Sequence, residues 1–123
     1  MHPFHSDAQR VQTLLNNMID NAIKYQRTEE NIKKIDIVFI SDEKECTLIV
    51  TDNGIGVEKG FEERIFEMFY RGSSLSSGSG LGLYIVKQVA DLLEAKIFVK
   101  TIPDGKTEFK VVFPNLKSKF RSL

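Results

Sequence analysis

Cysteine, long apolar runs and an excess of charge are what this 123-residue sequence lacks. Cys46 is the only cysteine, which excludes an intramolecular disulfide and a multi-cysteine metal site and is typical of a reducing cytoplasm. Apolar runs stop at four residues, far below the ~20 that a membrane-spanning helix needs, and no signal peptide is recognisable. Seventeen basic residues balance seventeen acidic ones, so the positive field of a non-specific nucleic-acid-binding protein is missing.

The remaining composition, 41% hydrophobic and 28% charged residues, is that of a globular domain. We expect residues 1–123 to form one domain, cut from a longer protein, with a basic tail at residues 115–123. Seven of the eight glycines lie between residues 54 and 82. Backbone freedom concentrated in one stretch is typical of a main chain that wraps closely around a ligand.

Hydrophobic periodicity predicts an α+β fold. The predicted elements are a helix from a capping box at Ser6 and Gln9 to about Tyr25, a hairpin of strands 33–40 and 46–51, a short helical segment 61–69, a mobile loop 72–79, a helix 81–93, and a second hairpin of strands 97–102 and 108–113. This order predicts a two-layer α/β sandwich, with the helices on one face of a mixed, mostly antiparallel sheet.

The first helix carries a polar stripe beside its apolar face. Asn17, Asn21 and Lys24 follow one another at spacings of four and three residues, and Leu14 borders them. One interpretation is an ordinary solvated helix face. The other is an amide oxygen for Mg²⁺ and an ammonium group for phosphate, roles that suit these side chains.

Asp52 begins the sequence Asp-Asn-Gly-Ile-Gly directly after a predicted strand. The segment reads equally well as a simple turn, because Asp, Asn and Gly tolerate left-handed backbone conformations. Strand alternation, however, places Asp52 on the same face as Leu48 and Val50, which points toward the core. A carboxylate at the mouth of an apolar pocket needs a hydrogen-bond donor, and an adenine amino group would be one.

A second glycine-rich segment, residues 78–83 (GSGLGL), opens the last helix. Glycines at a helix N-terminus let backbone N–H groups approach a phosphate, although a flexible linker explains the same pattern. The segment is not a dinucleotide-binding fingerprint, because Leu83 occupies the third glycine position, and it is not a Walker A loop, because no Gly-Lys-Ser/Thr follows.

The order of these segments resembles the catalytic ATP-binding domain (HATPase_c) of bacterial two-component sensor histidine kinases. Residues 17–25 (NMIDNAIKY) resemble the N box of that family, residues 52–56 (DNGIG) its G1 box, residues 65–71 (IFEMFYR) its F box, and residues 78–83 its G2 box. Thr107, followed by Phe109 and Pro114, is similar to the closing strand of the family. The resemblance extends from about Ser6 to Pro114.

This resemblance implies a Bergerat ATP-binding fold with ATP and Mg²⁺ as cofactors. By position, Asn21 would ligate Mg²⁺, Asn17 would support that ligand shell, Lys24 would contact phosphate, and Arg71 would stabilise charge on the transferred γ-phosphoryl group. Asp52 would accept from the adenine amino group, with Thr107 joined to it through a water. The other implied cofactor-binding residues are Tyr25, Gly54, Gly56, Phe69, Gly78, Gly80, Leu81 and Gly82.

The sequence also departs from the family pattern. Six residues, none of them basic, separate Arg71 from Gly78, which makes a short ATP lid. Met68 replaces the usual F-box proline, Lys106 replaces a glycine that often precedes the threonine, and the first strand of the usual domain is absent or truncated. The acceptor histidine of the family has no counterpart, because His2 and His5 lack its helical, acidic surroundings.

Three functions follow from the resemblance. The favoured one is a protein histidine kinase catalytic domain, cytoplasmic within a parent that can be membrane-anchored, serving a dimerisation domain and a response regulator, without nucleic-acid or membrane contacts. The second is an ATPase of the same fold, but such enzymes use a glutamate base where this chain has Asn17, and an amide cannot take a proton at neutral pH. The third is a nucleotide-gated binding module that regulates a partner.

Overall fold

The computed structural model describes residues 6–24, 34–54, 64–67, 81–102 and 106–116. In chain order the elements are α1 (Ala8–Lys24), β1 (Ile35–Ser41), β2 (Glu45–Asp52), a 3₁₀ helix (Arg64–Phe66), α2 (Gly82–Leu92), β3 (Lys96–Thr101) and β4 (Thr107–Pro114). The predicted order of helices and strands is confirmed. The predicted loop at residues 72–79 lies outside the described residues, as do both ends of the predicted segment 61–69.

The four strands form one sheet in the order β1-β2-β4-β3. Both predicted hairpins are present, and the pairing of β2 with β4 joins them, so that β1 and β3 lie at the two edges. Every pairing between the described strands is antiparallel, where the sequence predicted a mixed, mostly antiparallel sheet.

The two central strands alternate strictly between buried and half-buried side chains, which gives the sheet one covered face. Helices α1 and α2 cover this face, and their apolar stripes complete a single core. The core residues are Leu14 and Met18 of α1, Val86 and Ala90 of α2, Cys46, Leu48 and Val50 of β2, and Phe109, Val111 and Phe113 of β4, with Ile65 and Ala95 beside them. Each large apolar side chain buried here contributes roughly 1.5–3 kcal/mol to folding. Within the described residues, neither helix has both the length and the hydropathy needed to cross a bilayer.

The N-terminus of α1 differs from the predicted capping box. Asp7, not Ser6, caps the helix: its Oδ1 accepts from the N–H of Arg10 at 3.1 Å, and its carbonyl accepts from the N–H of Val11 at 3.0 Å. Serine and aspartate are both strong N-cap residues, and an aspartate also interacts favourably with the helix dipole. The helix therefore begins one residue later than the Ser6–Gln9 spacing predicted.

The C-terminus of α2 ends in a left-handed residue. Glu94 has φ 56°, and the N–H of the following Ala95 donates to the carbonyl of Ala90 at 2.8 Å. This is the arrangement that glycine usually occupies after a helix, because a glycine has no Cβ to strain there. The chain turns at this point from α2 directly into β3.

The turn between β1 and β2 is fastened by a residue that follows β4 in the sequence. Asp42 Oδ1 accepts from the N–H groups of Lys44 and Glu45, both at 2.8 Å. Asn115, buried just after β4, donates its N–H to the carbonyl of Lys44 at 2.8 Å and its Nδ2 to the carbonyl of Asp42 at 2.9 Å. The ordered core therefore includes Asn115, the first residue of the expected tail.

Candidate functional site

Asp52 and Thr107 form a buried polar pair at one end of the sheet. They are register partners on β2 and β4, and their side chains are 5% and 2% exposed. The N–H of Gly54 donates to Oδ1 of Asp52 at 2.9 Å. Thr107 Oγ1 is buried and has no hydrogen-bond partner among the described residues. A buried hydroxyl without a partner is costly, so the pair is built for a further polar group.

Strand alternation explains why these two polar residues face the core. Leu48, Val50 and Asp52 are successive buried positions of β2, and Thr107 and Phe109 are successive buried positions of β4. The predicted core-facing orientation of Asp52 is confirmed. Its direct pairing with Thr107, 55 residues later in the sequence, depends on the contact between β2 and β4.

Burial makes the Asp52 carboxyl electrostatically unusual. Desolvation raises its pKa above the ordinary value of 3.8, and the hydrogen bond from the Gly54 N–H lowers it by a smaller amount. A carboxylate whose charge is poorly solvated gains more from a new hydrogen-bond donor than a surface carboxylate does. The group is therefore prepared to accept a hydrogen bond from a ligand that enters the site.

A second part of the site lies where α1 meets α2. Asn17 donates a hydrogen bond from Nδ2 to the carbonyl of Thr13 at 2.8 Å, so its amide oxygen Oδ1 does not take part in that bond. A Cβ built on Gly82 would lie 3.7 Å from this Oδ1 atom, so the N-box asparagine and the first residue of α2 are neighbours. Asn21, one turn further along α1, is half-buried as expected for the edge of the polar stripe.

The first turn of α2 has no side-chain cap. Leu81 occupies the N-cap position, and a leucine side chain cannot accept a hydrogen bond from the first N–H groups. No acidic residue stands in the first turn. The N–H groups of a first turn without a side-chain cap, together with the positive end of the helix dipole, favour a phosphate at such a position. Gly82 thus lies beside Asn17 at the end of α2 that suits negative charge.

The described residues contain no group of three histidine, cysteine, aspartate or glutamate side chains that could hold a metal ion. Mg²⁺ in nucleotide sites commonly takes most of its ligands from the nucleotide and from water. Half-buried Asn21 offers the neutral, hard amide oxygen that fits this kind of site. The donor set is suited to Mg²⁺ carried on a triphosphate.

Two further residues have roles that the sequence did not indicate. Phe66 of the 3₁₀ helix meets Phe109 of β4 edge to face, with ring centroids 6.4 Å apart and an interplanar angle of 84°. Asn53 Oδ1 accepts from the N–H of Lys34 at 2.9 Å, which ties the segment after β2 to the start of β1. Phe66 and Asn53 lie within the F box and the G1 box, but the sequence of these motifs does not indicate the two contacts. Each contact joins segments that are distant in the sequence.

The structure brings five of the predicted site residues together in two groups. One group is Asp52 with Gly54 and Thr107, and the other is Asn17 with Gly82. The backbone of Lys24 ends α1, but its side chain lies outside the described part of the structure. The other predicted site residues outside the described residues are Tyr25, Gly56, Phe69, Arg71, Gly78 and Gly80. Their roles stay predictions.

Comparison with known proteins agrees with this architecture. Residues 6–117 match the family model HATPase_c, described as histidine kinase-, DNA gyrase B-, and HSP90-like ATPase. The sensor protein CiaH of Streptococcus pneumoniae is 34% identical over 110 residues, which cover 86% of this chain. They cover 24% of CiaH, so the chain spans about a quarter of that relative.

Solved structures give the same result at the level of the fold. The mycobacterial sensor histidine kinase MprB superposes with a TM-score of 0.75 at 27% identity, over 88% of this chain and 72% of that one. Full-length ShkA, crystallised in complex with AMPPNP, superposes with a TM-score of 0.78 at 25% identity, over 93% of this chain and 23% of that one. The chain belongs to the HATPase_c family, as an ATP-binding catalytic domain of the sensor histidine kinase type.

Proposed function

We propose that this chain binds Mg-ATP and positions the γ-phosphoryl group for transfer to a histidine on a separate dimerisation domain. The observation that carries the proposal is the buried pair of Asp52 and Thr107, with its unpartnered hydroxyl. An adenine amino group donates to the Asp52 carboxylate, and Thr107 joins the same base through a water. Guanine presents a carbonyl oxygen at that position, so the carboxylate favours adenine over guanine.

The phosphates bind at the other part of the site, where α1 meets α2. The neighbouring positions of Asn17 and Gly82 and the uncapped first turn of α2 support this assignment. Backbone N–H groups of the G2 box donate hydrogen bonds to the phosphate oxygens, and the Lys24 ammonium neutralises part of the charge of the phosphates. The remaining proposed contacts to the nucleotide come from Tyr25, Gly54, Gly56, Phe69, Gly78, Gly80 and Leu81.

Mg²⁺ binds through Asn21, with Asn17 supporting the ligand shell. The ion supplies neutralisation of charge on the phosphate oxygens. The hydrogen bond from Asn17 Nδ2 to the carbonyl of Thr13 fixes the Asn17 amide. As a result, its oxygen rather than its NH₂ group faces α2. Asn21 would hold the ion as a protein ligand, with the triphosphate and waters as further ligands.

Transfer rather than hydrolysis is the reaction that these residues support. Asn17 occupies the position of the general base in ATPases of the same fold, and a neutral amide cannot activate water. Arg71 of the F box stabilises the charge that develops on the γ-phosphoryl group during transfer. The nucleophile comes from outside this chain, because neither His2 nor His5 has the surroundings of an acceptor histidine.

The chain acts within a longer cytoplasmic kinase, as one domain comprising residues 1–123, and the expected tail at residues 115–123 begins after Asn115, which the structure places in the core. This agrees with its span of about a quarter of CiaH. Its direct partner is the dimerisation domain of the same kinase, and a response regulator then takes the phosphoryl group. Contacts with nucleic acid or membrane are not part of this function.

Transfer of phosphate from radiolabelled ATP to a purified, histidine-bearing dimerisation domain tests this function. The chain alone is expected to bind ATP in calorimetry without stable autophosphorylation or appreciable turnover. With the dimerisation domain added, Arg71→Ala is expected to lower the transfer rate more than the ATP affinity. Arg64→Ala is the matched control, because Arg64 is an exposed arginine of the same segment that pairs with Glu67.

Three outcomes would contradict the proposal. Acid-labile phosphate on His2 or His5 would mean that the chain supplies its own acceptor. Steady hydrolysis at the rate of dedicated ATPases would favour the ATPase interpretation. ATP binding without transfer to any dimerisation domain would favour a nucleotide-gated binding module.

A further inference from the structure

We propose that Asn53 is a positioning residue for base recognition, which sets the direction of the Asp52 carboxyl through the turn at Gly54. The inference rests on the proposed function and deepens it, because Asp52 is the residue that selects adenine there. Asn53 itself contacts no nucleotide in this proposal. Its side chain acts on the backbone at the end of β2.

The Asn53 side chain replaces a backbone group in the pairing of β1 with β2. In a hydrogen-bonded pair of antiparallel strands, each residue donates its N–H to the carbonyl of the other. Lys34 and Asn53 stand one position beyond Ile35 and Asp52, the last register partners of the two strands. The N–H of Asn53 donates to the carbonyl of Lys34 at 3.3 Å, whereas the N–H of Lys34 donates at 2.9 Å to Asn53 Oδ1 rather than to the Asn53 carbonyl. The side chain makes the stronger of the two bonds, because 3.3 Å exceeds the usual range of about 2.7–3.2 Å.

This exchange lets the chain leave the sheet directly after Asp52. Because a side chain makes the second bond to Lys34, the backbone of Asn53 is not held in the direction of the strand. The N–H of the buried Gly54 points back to Oδ1 of Asp52 at 2.9 Å, which closes a turn across Asn53. The position of Asn53 therefore determines where the Gly54 N–H holds the Asp52 carboxyl.

Backbone conformation does not account for the asparagine at this position. Asparagine is common in turns because it tolerates left-handed φ values. Glu94 is the one non-glycine residue with a positive φ in the part of the chain that the structure describes, so Asn53 has a φ that other residues also adopt. What asparagine contributes here is the acceptor for the Lys34 N–H.

The direction of the Asp52 carboxyl matters because a hydrogen bond weakens steeply as its angle departs from linear. Gly54 holds Oδ1, so the lone pairs of Oδ2 remain for a donor on the ligand. Loss of the Asn53 side chain leaves the turn attached to Lys34 by the longer backbone bond alone. The Gly54 N–H and the Asp52 carboxyl can then shift together, and the carboxylate meets the adenine amino group at a poorer angle.

The test compares ATP with purine riboside triphosphate, which lacks only the 6-amino group of adenine. Calorimetry at about pH 8, above the ordinary carboxyl range, gives both dissociation constants for the wild-type chain, Asn53→Ala, Asp52→Asn and the double variant. The wild-type chain is expected to prefer ATP by ~10-fold or more, as a charge-assisted hydrogen bond would provide. Asn53→Ala is expected to reduce this preference below ~3-fold. In the Asp52→Asn background it is expected to change the preference no further, because both substitutions act on one interaction.

Three more variants separate positioning from general stability. Asn53→Asp keeps an acceptor for the Lys34 N–H and is expected to retain the preference, since its added charge acts equally on two nucleotides with the same triphosphate. Asn53→Val has no acceptor but suits the end of a strand, and it is expected to behave like Asn53→Ala even if the alanine variant folds poorly. Asn115→Ala is the matched control. It removes the bond from Nδ2 to the Asp42 carbonyl at the other end of the same hairpin, so it is expected to lower the free energy of unfolding and keep the preference.

The outcomes separate this inference from the function on which it rests. A wild-type preference for ATP that persists in Asn53→Ala or Asn53→Val would overturn the positioning role and leave the proposed function standing. Loss of the preference in Asn115→Ala would also overturn it, because loosening of the hairpin anywhere would then be sufficient. A wild-type chain that binds both nucleotides equally would remove Asp52 from base recognition and Asn53 with it. A wild-type chain that binds neither would overturn the proposed function itself.

Discussion

Thr107 stands directly opposite Asp52 on the neighbouring strand, and both polar side chains are buried on the covered face of the sheet. Folding alone does not benefit from this arrangement, since Asp52 has a desolvated carboxyl and Thr107 an unpartnered hydroxyl among the described residues. Buried polar groups of this kind lower the stability of the free protein, which is common where residues serve a function other than folding.

Replacement of Thr107 by valine is expected to stabilise the free protein and weaken ATP binding. Valine has nearly the same shape and removes the buried hydroxyl, whose missing hydrogen bond costs about 1 kcal/mol or more. Chemical denaturation measures the free energy of unfolding, and calorimetry measures ATP affinity. Thr47→Val, on the other face of β2, is the control and is expected to leave ATP affinity unchanged. A destabilised Thr107→Val protein would mean that the hydroxyl has a partner.

Replacement of Asp52 by asparagine is expected to weaken ATP binding by roughly 1–3 kcal/mol, the value of a charge-assisted hydrogen bond. The free protein is expected to melt at a higher temperature, because asparagine accepts the Gly54 N–H without a buried charge. Asp36→Asn, on exposed β1, serves as the control for both measurements. Equal ATP and GTP affinity of the wild-type chain in calorimetry would argue against base recognition through Asp52.

ATP affinity is expected to fall as the pH falls through the Asp52 pKa, which burial raises above 3.8. Accepting from the adenine amino group requires the ionised carboxylate, so ATP binding releases a proton in this range. The contribution of Asp52 to the stability of the free protein changes with pH in the direction opposite to ATP affinity. Between the unfolded and folded pKa values the folded state binds more protons, so the contribution of Asp52 to the free energy of unfolding decreases as the pH rises.

The pH dependence is measured by calorimetry of ATP binding from about pH 4 to pH 7. Asp52→Asn is the reference, because the triphosphate titrates equally in both proteins. The difference between the two affinity profiles is expected to be confined to the Asp52 titration. Parallel profiles would remove Asp52 from the binding reaction.

Replacement of Asn21 by alanine is expected to abolish most of the Mg²⁺-dependent stabilisation by ATP. Ligand at ~100-fold over its dissociation constant adds about 2.7 kcal/mol to the stability of a binding protein. The melting temperature is measured with ATP, with and without Mg²⁺. Asn16→Ala, an exposed neighbour on α1, is expected to keep the full shift. If Asn21→Ala also keeps it, the metal assignment is wrong.

Replacement of Glu94 by glycine is expected to raise the free energy of unfolding by about 0.5–1 kcal/mol. Glu94 is exposed and has φ 56°, a conformation that costs a non-glycine residue energy. Gln88→Gly, inside α2, is the control and is expected to lower the free energy of unfolding by about 1 kcal/mol. Thermal or chemical denaturation measures the free energy of unfolding of both variants. Destabilisation by Glu94→Gly would contradict backbone strain at Glu94.

The parts of this fold that depend on local sequence could be predicted, and the parts that depend on distant contacts could not. Alternation along β2 was sufficient to place Asp52 toward the core, and both hairpins followed from turn residues and apolar runs. The link between Asp52 and Thr107 followed only from the resemblance. The pairing of β2 with β4 was not predicted, because no local pattern selects which strands of two hairpins meet.

Two local features were also missed, for different reasons. At the start of α1, Ser6 and Asp7 are both good N-cap residues, and the sequence spacing favoured the one that the structure does not use. At the end of α2, the left-handed position is occupied by Glu94, where the usual signal would be a glycine. The Phe66–Phe109 contact could not be predicted at all, because it joins residues that are distant in the sequence.

The two hydrogen bonds from Asn115 to the β1–β2 turn have a consequence for where this chain can be shortened. A truncation after Pro114 would preserve all four strands yet leave the carbonyls of Asp42 and Lys44 without their partners. The edge strand β1 and the end of β4 would then loosen together, although they are distant in the sequence. The cooperatively folded unit therefore extends at least as far as Asn115.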